Sequence, residues 1–191
     1  AEEIFSFIES LPETIVTAVD EAYIEFAEAP DCSSMVSYLN RFTRPVVILK
    51  TFSKYYAMAG VRVGYALSTP ELIAEMNKCP AAWNLNKMGQ AAAIAALADQ
   101  AFSTESKAKI VESRHWLTEQ MQKLGCTVYP SQTNFIYFSS PVDPVVLKQK
   151  MQDSYGIMIG AFEMSRVSIG LPEWNQAFID ALAEILNNCT K

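Results

Sequence analysis

Residues 14–19 (TIVTAV) and 46–49 (VVIL) are continuous, largely β-branched runs with no polar alternation. A strand with one wet face alternates apolar and polar side chains, whereas an unbroken run suits a parallel strand covered on both faces. Parallel strands need a crossover of a dozen or more residues, and residues 20–45 supply one. A third apolar run, 61–67 (VRVGYAL), follows closely. The expectation is an α/β layer with a mostly parallel sheet, whose functional side chains lie at the carboxyl ends of the strands. Asp20 and Lys54 both stand just past such ends.

Helical patterns come next. Pro70 opens one over 70–77, an alanine-rich one covers 87–100, and the longest, 102–124, stops at Gly125. Beyond it lie short strands at 127–129, 134–138, 157–159 and 166–169, a helix at 144–155, and a final helix at 172–188. The final helix has Trp174, Ala177, Phe178, Ala181, Leu182, Ile185 and Leu186 on one face. Residues 1–100 therefore read as part of a larger α/β domain, and 101–191 as a small α+β domain that begins with a long interdomain helix.

Half of the 191 residues are apolar and 19% are charged, which is globular composition. The formal net charge of -6, without any Lys/Arg cluster, excludes a nucleic-acid or anionic-membrane partner. Four scattered cysteines without a C-x-x-C pair, beside a single histidine, predict reduced thiols in a cytoplasmic protein and no metal site. No apolar run approaches the length of a membrane span, and the acidic start AEEIFSFIES lacks a signal-peptide pattern. His115 falls mid-helix with no partner set for a triad.

The chemistry concentrates in residues 51–64, TFSKYYAMAGVRVG. An amine at Lys54, a hydroxyl before it at Ser53, and a glycine-flanked guanidinium at Arg62 are what an aldehyde cofactor bearing a phosphate requires. The amine condenses with the aldehyde, and the hydroxyl and the guanidinium fork take the phosphate. Asp20 can pair with a pyridine ring nitrogen and keep it protonated, and Tyr23 can reach a phenolic oxygen on the same ring. Taken singly, Asp20 suits a turn or helix cap and Tyr23 a half-buried core aromatic; the combination is the signal.

The runs VDEAYIEF (19–26), TFSKYYAMAGVRVGYAL (51–67), PAAWNLNKMGQAAAIAAL (80–97), PSQTNFIYF (130–138) and SRVSIGLPEWN (165–175), in that order, resemble the histidinol-phosphate aminotransferase group of fold type I enzymes, which use pyridoxal 5'-phosphate. The resemblance implies a large domain with a mostly parallel sheet, a small C-terminal domain, and a homodimer with its site at the subunit interface. It also implies transfer of an amino group from histidinol phosphate to 2-oxoglutarate, in histidine biosynthesis. Carried over by position, Lys54 is the lysine bonded to the cofactor, Asp20 the partner of its ring nitrogen, and Tyr23 the donor to its phenolate oxygen. Ser53 and Arg62 hold the phosphate, and Arg166 binds the substrate α-carboxylate, a role that suits a bidentate guanidinium. Asn134 matches a family asparagine without a firm role.

Two departures stand out. Ala82-Trp83-Asn84 occupies the place of a proline-tyrosine-asparagine run that helps shape the substrate pocket. The resemblance also begins midway through the family's sequence, which implies a C-terminal portion, weak or inactive alone. Alternatives are a threonine-phosphate decarboxylase with a similar framework, a non-catalytic sensing domain of a transcription regulator, and an acidic α/β interaction domain in which the lysine is incidental.

Overall fold

β1 (Thr17–Asp20), β2 (Val46–Thr51) and β3 (Gly64–Leu67) form one sheet in the order β1-β2-β3. The computed structural model describes residues 1–79 and 85–189. β1 and β2 are parallel, with Asp20 opposite Leu49, and β2 and β3 are antiparallel, with Thr51 opposite Gly64. The third apolar run therefore does not continue the parallel pattern: a 3-10 turn, Ala59–Val61, leads into it, and the chain reverses before β3. Its effect on the site is favourable. The carboxyl ends of β1 and β2 and the amino end of β3 all lie at one edge of the sheet.

The chain divides into two compact units, Ala1–Glu105 and Ser106–Lys191. In the first, β2 is central and carries the core. Val46 and Ile48 pack with Ile8 of α1 (Glu2–Glu9) and with Met35. β1, an edge strand, alternates between half-buried and exposed residues instead of being covered on both faces. A second cluster, Phe52, Val63 and Ala93, seats α3 (Lys87–Ala98) beside the loop that follows β2. Gly89 permits that approach, because a Cβ there would lie 2.9 Å from Val63 Cγ2. Between these elements, α2 (Pro70–Met76) starts with Pro70 at its first position and with Thr69 as its cap.

α4 (Gln100–Lys123) begins in the first unit and ends in the second. The second unit has a fully antiparallel sheet in the order β4-β5-β7-β6, from β4 (Thr127–Val128), β5 (Phe135–Ser139), β6 (Gly160–Ala161) and β7 (Ser165–Ser168). Its core gathers Leu117 and Met121 of α4, Ile136 and Phe138 of β5, Leu147 and Met151 of α5 (Pro144–Tyr155), and Phe178, Leu182 and Ile185 of α6 (Pro172–Cys189). Asp143 caps α5 by accepting from the N–H groups of Val145 and Val146, and Gly156, at φ 68°, ends it. Trp174 departs from the apolar face expected of α6. It is 64% exposed and lies against Gly170. The strand expected at 157–159 forms later, at Gly160–Ala161.

Candidate active site

The sheet edge of the first unit holds the residues singled out around Lys54. β1 ends at Asp20, whose Oδ1 accepts the Ala22 N–H at 3.0 Å, so the carboxylate is fixed over its own turn while remaining exposed. The chain then makes a short 3-10 turn, Ile24–Phe26, anchored by the Glu21 N–H donating to Leu49 O at 2.9 Å. Tyr23 sits in this turn, and the Lys54 ammonium stands 5.6 Å from the centroid of its ring. Among the described residues, that ammonium has no ion pair or hydrogen bond, which leaves an exposed amine beside an aromatic face.

The loop from Phe52 to Val63 is tightly wound. The Met58 N–H donates back to Phe52 O, the Ala57 N–H to Lys54 O, and the Phe52 N–H to Val63 O, each at 3.0 Å. Ser53 is fixed through its backbone N–H, which donates to Thr51 Oγ1 at 3.0 Å. Ala57 and Arg62 adopt left-handed conformations at φ 55° and 59°, costly for residues with a Cβ and common where a site constrains the backbone. Arg62 Nη1 donates to Ala59 O at 2.9 Å, and its guanidinium stands at the amino end of β3. The structure thus brings Asp20, Tyr23, Ser53, Lys54 and Arg62 to one edge.

Pyridoxal 5'-phosphate fits this donor set. An unpaired amine suits its aldehyde, an exposed carboxylate its ring nitrogen, and a hydroxyl with a guanidinium its phosphate.

Sequence reasoning missed a charged cluster beneath these groups. Glu21 is 5% exposed, and its carboxylate accepts from the Met35 N–H at 2.5 Å, Ser34 Oγ at 2.6 Å and Lys50 Nζ at 3.2 Å. Lys50 Nζ also donates to Glu25 Oε1 at 2.6 Å. Burial would lower the lysine pKa, but the two carboxylates reverse this and hold it above its ordinary value. The signal was present: a lysine closing the apolar run VVIL, and two acids flanking Tyr23. Tyr55 and Tyr56 stack edge to face at 5.1 Å, and burial raises both phenols.

Arg166 belongs to the second unit, on β7, opposite Tyr137 and Gly160. Its Cζ lies 5.2 Å from the Phe135 centroid and 5.4 Å from that of Phe162, so two rings steady the guanidinium. Asn134 contributes its carbonyl, which accepts the Ile169 N–H at 2.9 Å. Buried Arg114 ties down the adjoining turn by donating to Thr133 O at 2.8 Å. Ala82-Trp83-Asn84 lies outside the described residues. Among those described, Cys32, Cys79 and Cys126 are free thiols, no group of His, Cys, Asp and Glu is placed to hold a metal ion, and no helix is long and apolar enough to cross a membrane.

Residues 2–182 match the family of aminotransferase class I and II. The chain belongs to that family. It is 41% identical over 177 residues to the histidinol-phosphate aminotransferase of Geobacter sp. strain M21, covering 89% of this chain and 49% of that protein. With the enzyme of the same name from Moorella thermoacetica it shares 35% identity over 185 residues, 94% of this chain and 48% of the relative. Among solved structures, the histidinol-phosphate aminotransferase of Sinorhizobium meliloti, in complex with pyridoxal-5'-phosphate, superimposes with a TM-score of 0.89 at 32% identity, over 99% of this chain and 53% of that one. The fold is thus that of the pyridoxal-phosphate-dependent aminotransferases, and the chain spans about half the length of the curated relatives it matches.

Proposed function

We propose that this chain is the C-terminal part of a pyridoxal-phosphate-dependent aminotransferase that moves the amino group of histidinol phosphate to 2-oxoglutarate, forming the corresponding ketone and glutamate. The observation that carries the proposal is the exposed, unpaired Lys54 ammonium beside Tyr23, at the sheet edge that also bears Asp20 and Arg62. Relatives named for this reaction, 41% and 35% identical, support the choice of substrates.

When bound, the cofactor supplies an electron-withdrawing ring that carries the charge left as a proton leaves the carbon bearing the donor's amino group. Lys54 Nζ would hold the aldehyde carbon and, as a free amine, would take that proton as general base. The Asp20 carboxylate holds a proton on the ring nitrogen, and the Tyr23 hydroxyl donates to the ring's phenolic oxygen. Ser53 Oγ and the Arg62 guanidinium donate to the phosphate. Arg166 donates a fork of two N–H bonds to the α-carboxylate of 2-oxoglutarate or of the glutamate formed from it. The working enzyme is taken to be a cytoplasmic homodimer, and the present chain alone to be weak or inactive because much of the cofactor's surround lies in the half of the relatives it does not span.

The test is to incubate the chain with excess pyridoxal 5'-phosphate, reduce with borohydride, and map the labelled peptides. Label concentrated on Lys54 and lost in Lys54→Ala is expected; label retained by Lys54→Ala removes the assignment. In a full-length enzyme, formation of glutamate rather than release of carbon dioxide separates transamination from decarboxylation.

A further inference from the structure

Lys50 spans the turn that carries Tyr23. Its single ammonium binds Glu25 Oε1 at 2.6 Å and Glu21 Oε2 at 3.2 Å, two residues to either side of that tyrosine. Glu21 is tied in turn to Ser34 Oγ and to the Met35 N–H. The lysine projects from β2, four positions before Lys54 on the same run of chain. Lys50 thereby fixes both ends of the segment 21–25 to the strand that leads into the Lys54 loop. Its side chain is 10% exposed and that of Glu21 4%.

We propose that Lys50 is a positioning residue for the cofactor site, stapling Glu21 and Glu25 so that Asp20 and Tyr23 are held at a set distance from Lys54. The inference rests on the cofactor reading given above. The composition of the cluster argues for geometry over stability. Replacing a whole buried ion cluster by apolar side chains of like volume is often neutral or stabilising, so stability alone does not call for one, whereas removing only its lysine strands two carboxylates in a poorly solvated place. A known use of such clusters is to fix one arrangement among several. Both carboxylates here accept from the same ammonium, so neither end of the turn can shift without breaking a charged hydrogen bond.

The test compares Lys50→Met, Lys50→Arg and Glu25→Gln, with Lys78→Met as a surface control, its exposed lysine pairing with exposed Glu75. Two readouts are taken. Without cofactor, amide hydrogen exchange is followed at Met35 and over 22–26. With excess pyridoxal 5'-phosphate, the pH midpoint of the bound cofactor's absorbance is measured alongside borohydride labelling of Lys54. Lys50→Met is expected to speed exchange at those amides by about tenfold or more and to move the midpoint by at least about half a pH unit. Lys50→Arg keeps the charge and restores both. Glu25→Gln removes the outer carboxylate, releases one end of the turn and gives a smaller rise in exchange and a smaller displacement of the midpoint, so the test stands even if Lys50→Met fails to fold. If the unmutated chain labels on Lys54 while Lys50→Met leaves the midpoint unmoved, Lys50 is structural only and the proposal falls. If the unmutated chain does not label on Lys54, the cofactor reading falls and takes this one with it, and faster exchange in Lys50→Met then reports only a stabilising ion cluster.

Discussion

Ala57 and Arg62 hold the left-handed backbone at φ 55° and 59°, a conformation that costs a residue with a Cβ about 1–2 kcal/mol. Two such residues five positions apart, in the loop that carries Lys54, show that the loop is shaped against local preference. Ala57→Gly removes one penalty and is expected to stabilise the first unit by about 0.5–1 kcal/mol net of glycine's extra chain entropy, raising Tm by about 2–3 °C; thermal unfolding checks it, and a lower Tm would contradict it. Arg62→Gly relieves the same strain but deletes the guanidinium proposed to hold the phosphate. Its Tm should rise while uptake of pyridoxal 5'-phosphate falls by about tenfold or more. Arg166, steadied by Phe135 and Phe162, is a case of lost binding without strain: in a full-length enzyme, Arg166→Ala is expected to lower kcat/KM by about 10- to 150-fold, the worth of a charged hydrogen-bond pair. At this scale the sequence was informative about chemistry and silent about conformation. Lys54, Asp20 and Arg62 could be singled out because their residue types suit the proposed reaction, whereas nothing in the letters marks Ala57 as a residue with positive φ.

Elements were legible where their signals are local. α5 begins at Pro144 and ends before Gly156, because a proline that needs no N–H, an aspartate cap and a glycine that accepts positive φ are all decided within a few residues. The direction of β3 was not legible, because a parallel and an antiparallel strand of four residues look alike in sequence; the reversal after Ala59–Val61 sets it antiparallel to β2. Trp174 was assigned to the core because it fits the helical period, yet period says nothing about how far the core extends along a helix. Lys50 is an element-scale residue, joining β2 to the turn after β1. Its folded pKa lies above the ordinary value of 10.5, so its contribution to stability is complete below that pH and is lost as pH rises through the folded value. Denaturant titration from pH 8 to 12 should show a loss of stability above about 10.5 that is absent from Lys50→Met, itself less stable at neutral pH by about 3–5 kcal/mol.

The two units differ in how much apolar surface they bury. The second has a continuous core from α4 to α6, in which Leu117, Met121, Phe138 and Leu182 are essentially inaccessible. The first has two small clusters, and it leaves Ile15, Val16, Leu49, Met88 and Ile94 exposed. Amide exchange should therefore be slowest in β5, α6 and the later half of α4, and faster in β1 and α3. Cys126, buried in the second unit with its thiol pushed up to about 11, should resist thiol reagents at pH 8 while exposed Cys79 reacts. The fold class was readable at this scale because unbroken apolar runs and a long helix belong to few architectures. The charged cluster was not, because an ion pair across 29 residues of chain leaves no periodic trace.

The whole functional reading depends on Lys54 being the amine that takes the aldehyde. Borohydride reduction of the chain with pyridoxal 5'-phosphate, followed by peptide mapping, measures this directly. The expected result is one dominant labelled peptide containing Lys54 and no dominant label in Lys54→Ala. Label spread evenly over exposed lysines such as Lys78 and Lys87, unchanged by Lys54→Ala, would contradict it.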